Sequence, residues 1–189
     1  AAEMIDNLEP PGPTWTHAPW VGAAYESAGF DGLKVLLLGE SQYDTREGTA
    51  LNRQPPKLER TRRLVEKWAI GRRKHRFYTT SAKLVEGPGG EGGAAFWRRV
   101  AFYNYIQEVV GSRPRQRPTN EMWDSAQAPF LDVLEQLRPD CVVVLGKALW
   151  RALRVAPVGR VRLERHPNAW VLPDGMRIPV AHTAHPSSF

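Results

Sequence analysis

The sequence predicts an α/β protein, a three-layer α/β/α sandwich around a mainly parallel central sheet. Two observations carry this expectation. Continuous apolar runs, "VLLL" at 35–38 and "CVVVL" at 141–145, have the composition of strands covered on both faces. Segments with helical apolar spacing lie between such runs, and strands alternating with helices pack as helices against a sheet. At 189 residues, with 42% apolar content and seven Trp, the chain suits a single domain over 1–189 with a sizeable core.

The elements follow in order. Residues 1–20, rich in Pro and Trp, read as an irregular arm lying over the body. "VGAAYESAG" (21–29) reads as a short helix stopped by Gly29, and "LKVLLLG" (33–39) as the first core strand. "KLERTRRLVEKWAI" (57–70) places Leu58, Leu64, Val65 and Trp68 at helical spacing, and Gly71 ends it. "GRRKHRFYTTSAKLVEG" (71–87) is basic and β-prone, and "GPGGEGG" (87–93) is a loop. "AAFWRRVAFYNYIQEVVG" (94–111) reads as a helix carrying Phe96, Val100 and Tyr103, although its C-terminal half also suits a strand. "SRPRQRP" (112–118) is a basic linker, and "EMWDSAQAPFLDVLEQLRPD" (121–140) an amphipathic helix. The buried strand "CVVVLG" precedes the short helix "KALWRAL" (147–153). "NAWVLPDG" (168–175) and "MRIPVAHTA" (176–184) read as strands joined by an Asp-Gly turn.

Charge and cysteine narrow the function classes. The net charge is +6, but residues 53–83 hold eleven Lys/Arg against Glu59 and Glu66, a local balance of +9, so the remainder sums to −3. Such clustering favours a polyanion, most simply nucleic acid; the plainer alternative is a solvated helix face with a basic loop. Cys141 is the only cysteine, which excludes an internal disulfide and a Cys-built zinc or iron–sulfur site, and fits a reduced, cytoplasmic setting. No apolar run is long enough to cross a membrane, so no membrane partner is expected. "LGK" at 145–147 lacks the glycines of a phosphate loop.

Three pieces stand out against this background: "LLLGESQYD" (36–44), "FYNYIQ" (102–107) and "AHTAHPSSF" (181–189). Together with "RPDCVVVLGKALW" (138–150) they resemble, in order and flanks, the uracil-DNA glycosylase superfamily. That superfamily carries G-Q-D-P-Y-H or G-E-x-P-G at the end of its first core strand, an Asn on the next core segment and a final H-P-S-x-L. The resemblance runs from about residue 33 to the C-terminus, with little support in the basic middle. It implies a uracil-DNA glycosylase-like fold.

Position by position, the resemblance assigns roles. Gly39 matches the glycine over which the backbone passes close to the substrate, and Glu40 the catalytic Glu of the iron–sulfur branch. Membership of that branch is excluded, because it needs four cysteines. Ser41 stands where the other branch has its catalytic Asp, Gln42 replaces the motif proline, and Asp44 replaces the motif His. Tyr43 matches the Tyr beside the C5 edge of uracil. Asn104 matches the Asn that reads the base, and His185 the His that stabilises the departing base. Ser187 matches the phosphate-contacting Ser, and Phe189 takes the place of the wedge Leu.

This chemistry wants these residue types. Breaking a base–sugar bond creates an oxocarbenium-like sugar and an anionic base, which call for a carboxylate near the sugar and a donor toward the base. The base must leave the duplex to be reached, and Phe189 has the shape to fill the vacated stack. Ser187 with Arg72, Arg73 and Lys74 would hold phosphates. Plainer roles stand beside each assignment. Glu40 could cap a turn, His185 could simply end a strand, Asn104 could bond a loop backbone, and Tyr43 could be only a wall. His182 and His185 fall on opposite sides of a strand, a poor metal pair. His166, in "RHPNAW", precedes a strand and lacks the Ser. Cys141 suits packing.

The expected function is therefore a monofunctional, monomeric DNA glycosylase without cofactor or metal, acting on uracil or on a modified pyrimidine such as hypermodified phage cytosine in antiviral defence. Tyr43 weighs against a bulky C5 group. Loss of the Asp motivates a second reading, a non-catalytic DNA-binding member. A hydrolase of free nucleosides is the third.

Overall fold

A computed structural model describes residues 12–42, 57–90, 92–111, 116–155, 162–165 and 167–189. Seven strands among them form one sheet: β1 (Trp20–Val21), β2 (Val35–Gly39), β3 (Ala101–Asn104), β4 (Cys141–Leu145), β5 (Arg162–Arg165), β6 (Asn168–Val171) and β7 (Arg177–Thr183). Their order is β1-β3-β2-β4-β7-β6-β5. The central four, β3, β2, β4 and β7, are parallel. β1 on one side and β6 with β5 on the other are antiparallel.

The described helices are α1 (Arg60–Val65), α2 (Arg76–Glu86), α3 (Ala94–Trp97), α4 (Asn120–Ser125), α5 (Gln127–Leu137) and α6 (Lys147–Val155). They cover both faces, because side chains alternate along each strand. Leu36, Leu38, Ala101, Tyr103, Val142 and Val144 pack with Phe130, Val133 and Leu134 of α5 and with Leu149 and Leu153 of α6. Val35, Leu37, Phe102 and Leu145 face the other way, toward Val65 of α1, Tyr78 and Ala82 of α2, and Phe96 and Trp97 of α3. All five residues of β2 are buried, which is why its sequence lacks polar alternation. No described helix is long and apolar enough to cross a membrane.

Several elements differ from the sequence expectation. The helix expected at 94–111 is confined to α3, and its second half is β3, a strand between β1 and β2 with all four residues buried. A doubly covered strand is uniformly apolar, so periodicity could not separate it from a buried helix. The β-prone basic segment forms α2 instead. Tyr78, Ser81 and Ala82 recur on one buried face, the His75 ring accepts a hydrogen bond from the Phe77 amide, and Gly87 at φ 80° ends the helix. Burial of that face outweighs the strand preference of Thr79 and Thr80.

Residues 21–29 form turns closed by Tyr25 N–H to Gly22 O, with Gly29 at φ 60°, and not a helix. The amphipathic segment at 121–140 divides into α4 and α5 at Ala126. α1 continues as a π-helical turn over Glu66–Ile70 and stops at Gly71 as expected. The Asp-Gly turn joins β6 to β7, with Gly175 at φ 88°. Strands β1 and β5 are short edge pieces with no sequence signal long enough to declare them.

Candidate functional site at the carboxyl edge of the sheet

From β2 the chain leaves toward the α1–α3 face, and from β4 toward the α6 face. Adjacent parallel strands whose connections depart to opposite faces leave a crevice at their carboxyl ends, where open α/β sheets hold ligands. Glu40 follows β2 and Gly146 follows β4, so both border that crevice.

Gly39 and Asn104 are registered partners at the ends of β2 and β3. A Cβ on residue 39 would lie 2.4 Å from Asn104 Oδ1, so glycine is what lets the carboxamide lie across the strand end. Beyond the strands the backbones stay laced together. Tyr105 N–H donates to Gly39 O at 2.9 Å, Ile106 N–H to Glu40 O at 2.9 Å and Val110 N–H to Gln42 O at 3.1 Å. Asn104 is buried, and its carboxamide has no hydrogen bond to another described residue.

Only 11% of the Glu40 side chain is exposed, and Oε1 accepts a 3.0 Å hydrogen bond from Nη1 of Arg117, whose own side chain is 60% exposed. Burial pushes the Glu40 carboxyl above its ordinary 4.5, and Arg117 opposes that rise.

His185 lies just past β7 and starts the turn Pro186–Ser188. Its Nδ1 accepts from the Ser187 amide at 3.1 Å, so a neutral ring must carry its proton on Nε2. His185 is exposed, but partial loss of solvent around the ring, where it packs on Phe77 and Gly146, holds this imidazole below its usual 6.5 and favours that neutral form. The ring rests 5.6 Å from Phe77 and against Gly146, where a Cβ would sit 3.5 Å from its Cδ2. Phe77 in turn meets Phe102 of β3 at 6.1 Å. The start of α2 therefore braces both the His185 turn and the strand that carries Asn104.

The remaining expected residues fall into three groups. Ser41 is half-buried beside Glu40, and Ser187 and Phe189 are exposed on the His185 turn, Phe189 by 55%. Gln42 is buried and turned toward α1, where its amide donates to Thr61 Oγ1 at 2.9 Å and accepts from Arg60 Nε at 2.7 Å; both ends of that amide serve the fold. Arg72 and Arg73 are exposed just before α2, whereas Lys74 closes the π-helical turn by donating to Ala69 O and Ile70 O at 2.8 and 3.0 Å. Tyr43, Asp44 and His166 lie outside the described residues. His182 stays within β7 and stacks on Trp150 at 5.1 Å, away from the His185 turn, and Cys141 packs half-buried at the foot of β4.

Sequence reasoning missed Arg117, Phe77 and Gln107. The Gln107 carboxamide is a buried tie: Oε1 accepts from Thr16 and His17 amides at 2.9 and 2.8 Å, and Nε2 donates to Asn104 O at 2.8 Å. It thus hangs the N-terminal arm on the end of β3. A cavity of about 660 Å³ adjoins it, lined by Thr16, His17, Lys57, Arg60, Gln107, Glu108 and Val109, beyond Gln42 and not at the Glu40–His185 edge. No motif gives these residues a role: Gln107 closes the segment "FYNYIQ", read there for Asn104 alone, and only the basic character of "SRPRQRP" pointed toward Arg117.

Compared with protein-family models and with curated proteins, the chain matches none.

Proposed function

We propose that the chain is a monofunctional DNA glycosylase of the uracil-DNA glycosylase type, which flips a base from DNA and hydrolyses its N-glycosidic bond to leave an abasic site. The observation that carries this reading is the convergence at one sheet edge of a buried carboxylate, a carboxamide and a neutral imidazole with Nε2–H free of its local bond. A parallel sheet centre covered by helices on both faces is the architecture the sequence resemblance implies.

The chemistry follows from the groups. As the base–sugar bond lengthens, positive charge grows on the sugar ring and negative charge on the base. The Glu40 carboxylate stabilises the first and orients the attacking water. Nε2–H of His185 donates to the base oxygen without becoming charged. Asn104 offers both a donor and an acceptor to a base edge. Phe77 supplies an apolar wall beside His185, and exposed Phe189 supplies a wedge for the vacated stack. Arg72 and Arg73 flank the same end of α2 and meet phosphates. The substrate is uracil or a modified pyrimidine, including a hypermodified phage cytosine removed in antiviral defence.

One observation favours a second reading, DNA binding without excision: Ser41 offers no second acid, and Glu40 is already paired with Arg117. A panel of single- and double-stranded DNAs carrying uracil, hypoxanthine, 5-hydroxymethylcytosine or glucosylated cytosine decides between them. Alkali-labile breaks at one base that fall at least ~100-fold in Glu40→Gln are expected. Intact DNA throughout, with tight binding retained, supports the non-catalytic reading.

A further inference from the structure

We propose that Arg117 joins the substrate strand to the catalytic carboxylate, holding Glu40 with one edge of its guanidinium and gripping a backbone phosphate of the DNA with the other. The inference rests on the glycosylase reading of Glu40 and adds to it a residue that no motif assigns.

The argument starts from the asymmetry of the pair. Glu40 is nearly sealed, whereas most of Arg117 faces solvent. An exposed guanidinium gains little from an ion pair, but a carboxylate removed from water needs a counter-charge to stay ionised. Among the described residues, Arg117 is the one charged group whose field and hydrogen bond reach Glu40. The contact uses Nη1. A guanidinium presents five N–H donors in a rigid plane, so one hydrogen bond to Glu40 leaves an edge free for a second oxyanion, and phosphate is the oxyanion that the fork fits.

Chemistry then supplies the phosphate. The sugar that Glu40 addresses carries phosphates on its own 3′ and 5′ oxygens. A group bonded to a carboxylate that faces a nucleotide's sugar therefore stands within one sugar of the backbone. Arg117 approaches from residues 116–119, which end in the Thr119 cap of α4. The basic residues before α2 approach from the other face of the sheet. The strand would thus be held from two sides, with Arg117 on the side that also governs the carboxylate.

The test compares wild type with Arg117→Gln, which keeps a hydrogen-bonding side chain without charge, and with Arg117→Lys. Two quantities are measured. The first is the Glu40 titration midpoint in the free protein, from carboxyl NMR assigned with Glu40→Gln. The second is affinity for a duplex containing a stable abasic-site analogue as a function of salt. Arg117→Gln is expected to raise the midpoint and to reduce the slope of log affinity against log salt by about one, with Arg117→Lys restoring the slope. A raised midpoint with an unchanged slope overturns the phosphate contact, and a reduced slope with an unmoved midpoint overturns the hold on Glu40. Neither measurement requires a base to be excised. A panel showing no excision refutes the glycosylase reading and leaves this result to stand or fall separately.

Discussion

Glu40 and His185 titrate against their ordinary habits, the acid upward and the base downward, and in both cases loss of solvent is the first cause. The proposed mechanism works with an ionised Glu40 and a neutral His185. Falling pH removes both, since Glu40 takes its proton above 4.5 and His185 below 6.5. On the proposed function, excision measured against pH should therefore fall on the acid side as the two groups protonate, with the Glu40 limb lying above the pH at which an ordinary carboxyl titrates. His185→Gln should lower the rate throughout by ~10²-fold, with a pH limb that reports Glu40 alone. Gly39→Ala is a sharper steric test. Its methyl would meet Asn104 Oδ1 at 2.4 Å, so the carboxamide must swing away. The expected result is a large loss of base affinity with little change in binding to an abasic duplex, read by competition between the two DNAs. At this scale the sequence was most legible in position: Glu40, Asn104 and His185 all lie at the carboxyl ends of the parallel strands β2, β3 and β7. Gln42 was not legible, because a buried amide turned toward Thr61 and Arg60 looks the same in a sequence as one turned toward a ligand.

Among the elements, the lesson concerns covering on both faces. β2 and β4 were recognisable because short β-branched and leucine runs ended at glycine. β3 was hidden inside a longer apolar stretch, and α2 inside a basic one; in each case tertiary burial overrode local preference. Neither Phe77 nor Gln107 could be placed until those two assignments were right. Phe77 acts from the first turn of α2 and Gln107 from the segment after β3. Gln107→Leu should show how far the arm and the strand end depend on each other. It leaves two arm amides and the Asn104 carbonyl without their partner, at ~1–3 kcal/mol for each group that stays buried and unsatisfied. Thermal unfolding should fall by roughly 2–4 °C per kcal/mol lost for a chain of this size. Excision should fall as well if the arm keeps Asn104 in place; an unchanged rate at a lowered melting point would make the tie purely structural.

For the whole molecule, charge placement matters more than net charge. The excess of basic residues lies in the segment that forms α1 and the start of α2, the helix that packs on the His185 turn. A double substitution, Arg72→Ala with Arg73→Ala, should weaken binding to duplexes of any sequence and reduce the salt slope by about two. Single-turnover excision at saturating protein should be spared. A fall in the saturated rate instead would place these residues in the chemistry and not on the backbone.

The parallel register of β3, β2, β4 and β7 has a kinetic consequence. Each of these strands pairs with one distant in sequence: Gly39 with Asn104, Leu38 with Val144, and Val144 with His182. Pairings of such long range close late and slow folding. Glu40, Asn104 and His185 are thus brought together only by the last contacts of the sheet to form. No local piece of the chain can assemble half of these positions, so on the proposed function an incompletely folded molecule lacks the site. If the proposed excision is correct, that activity is thereby tied to the completion of the chain's own folding.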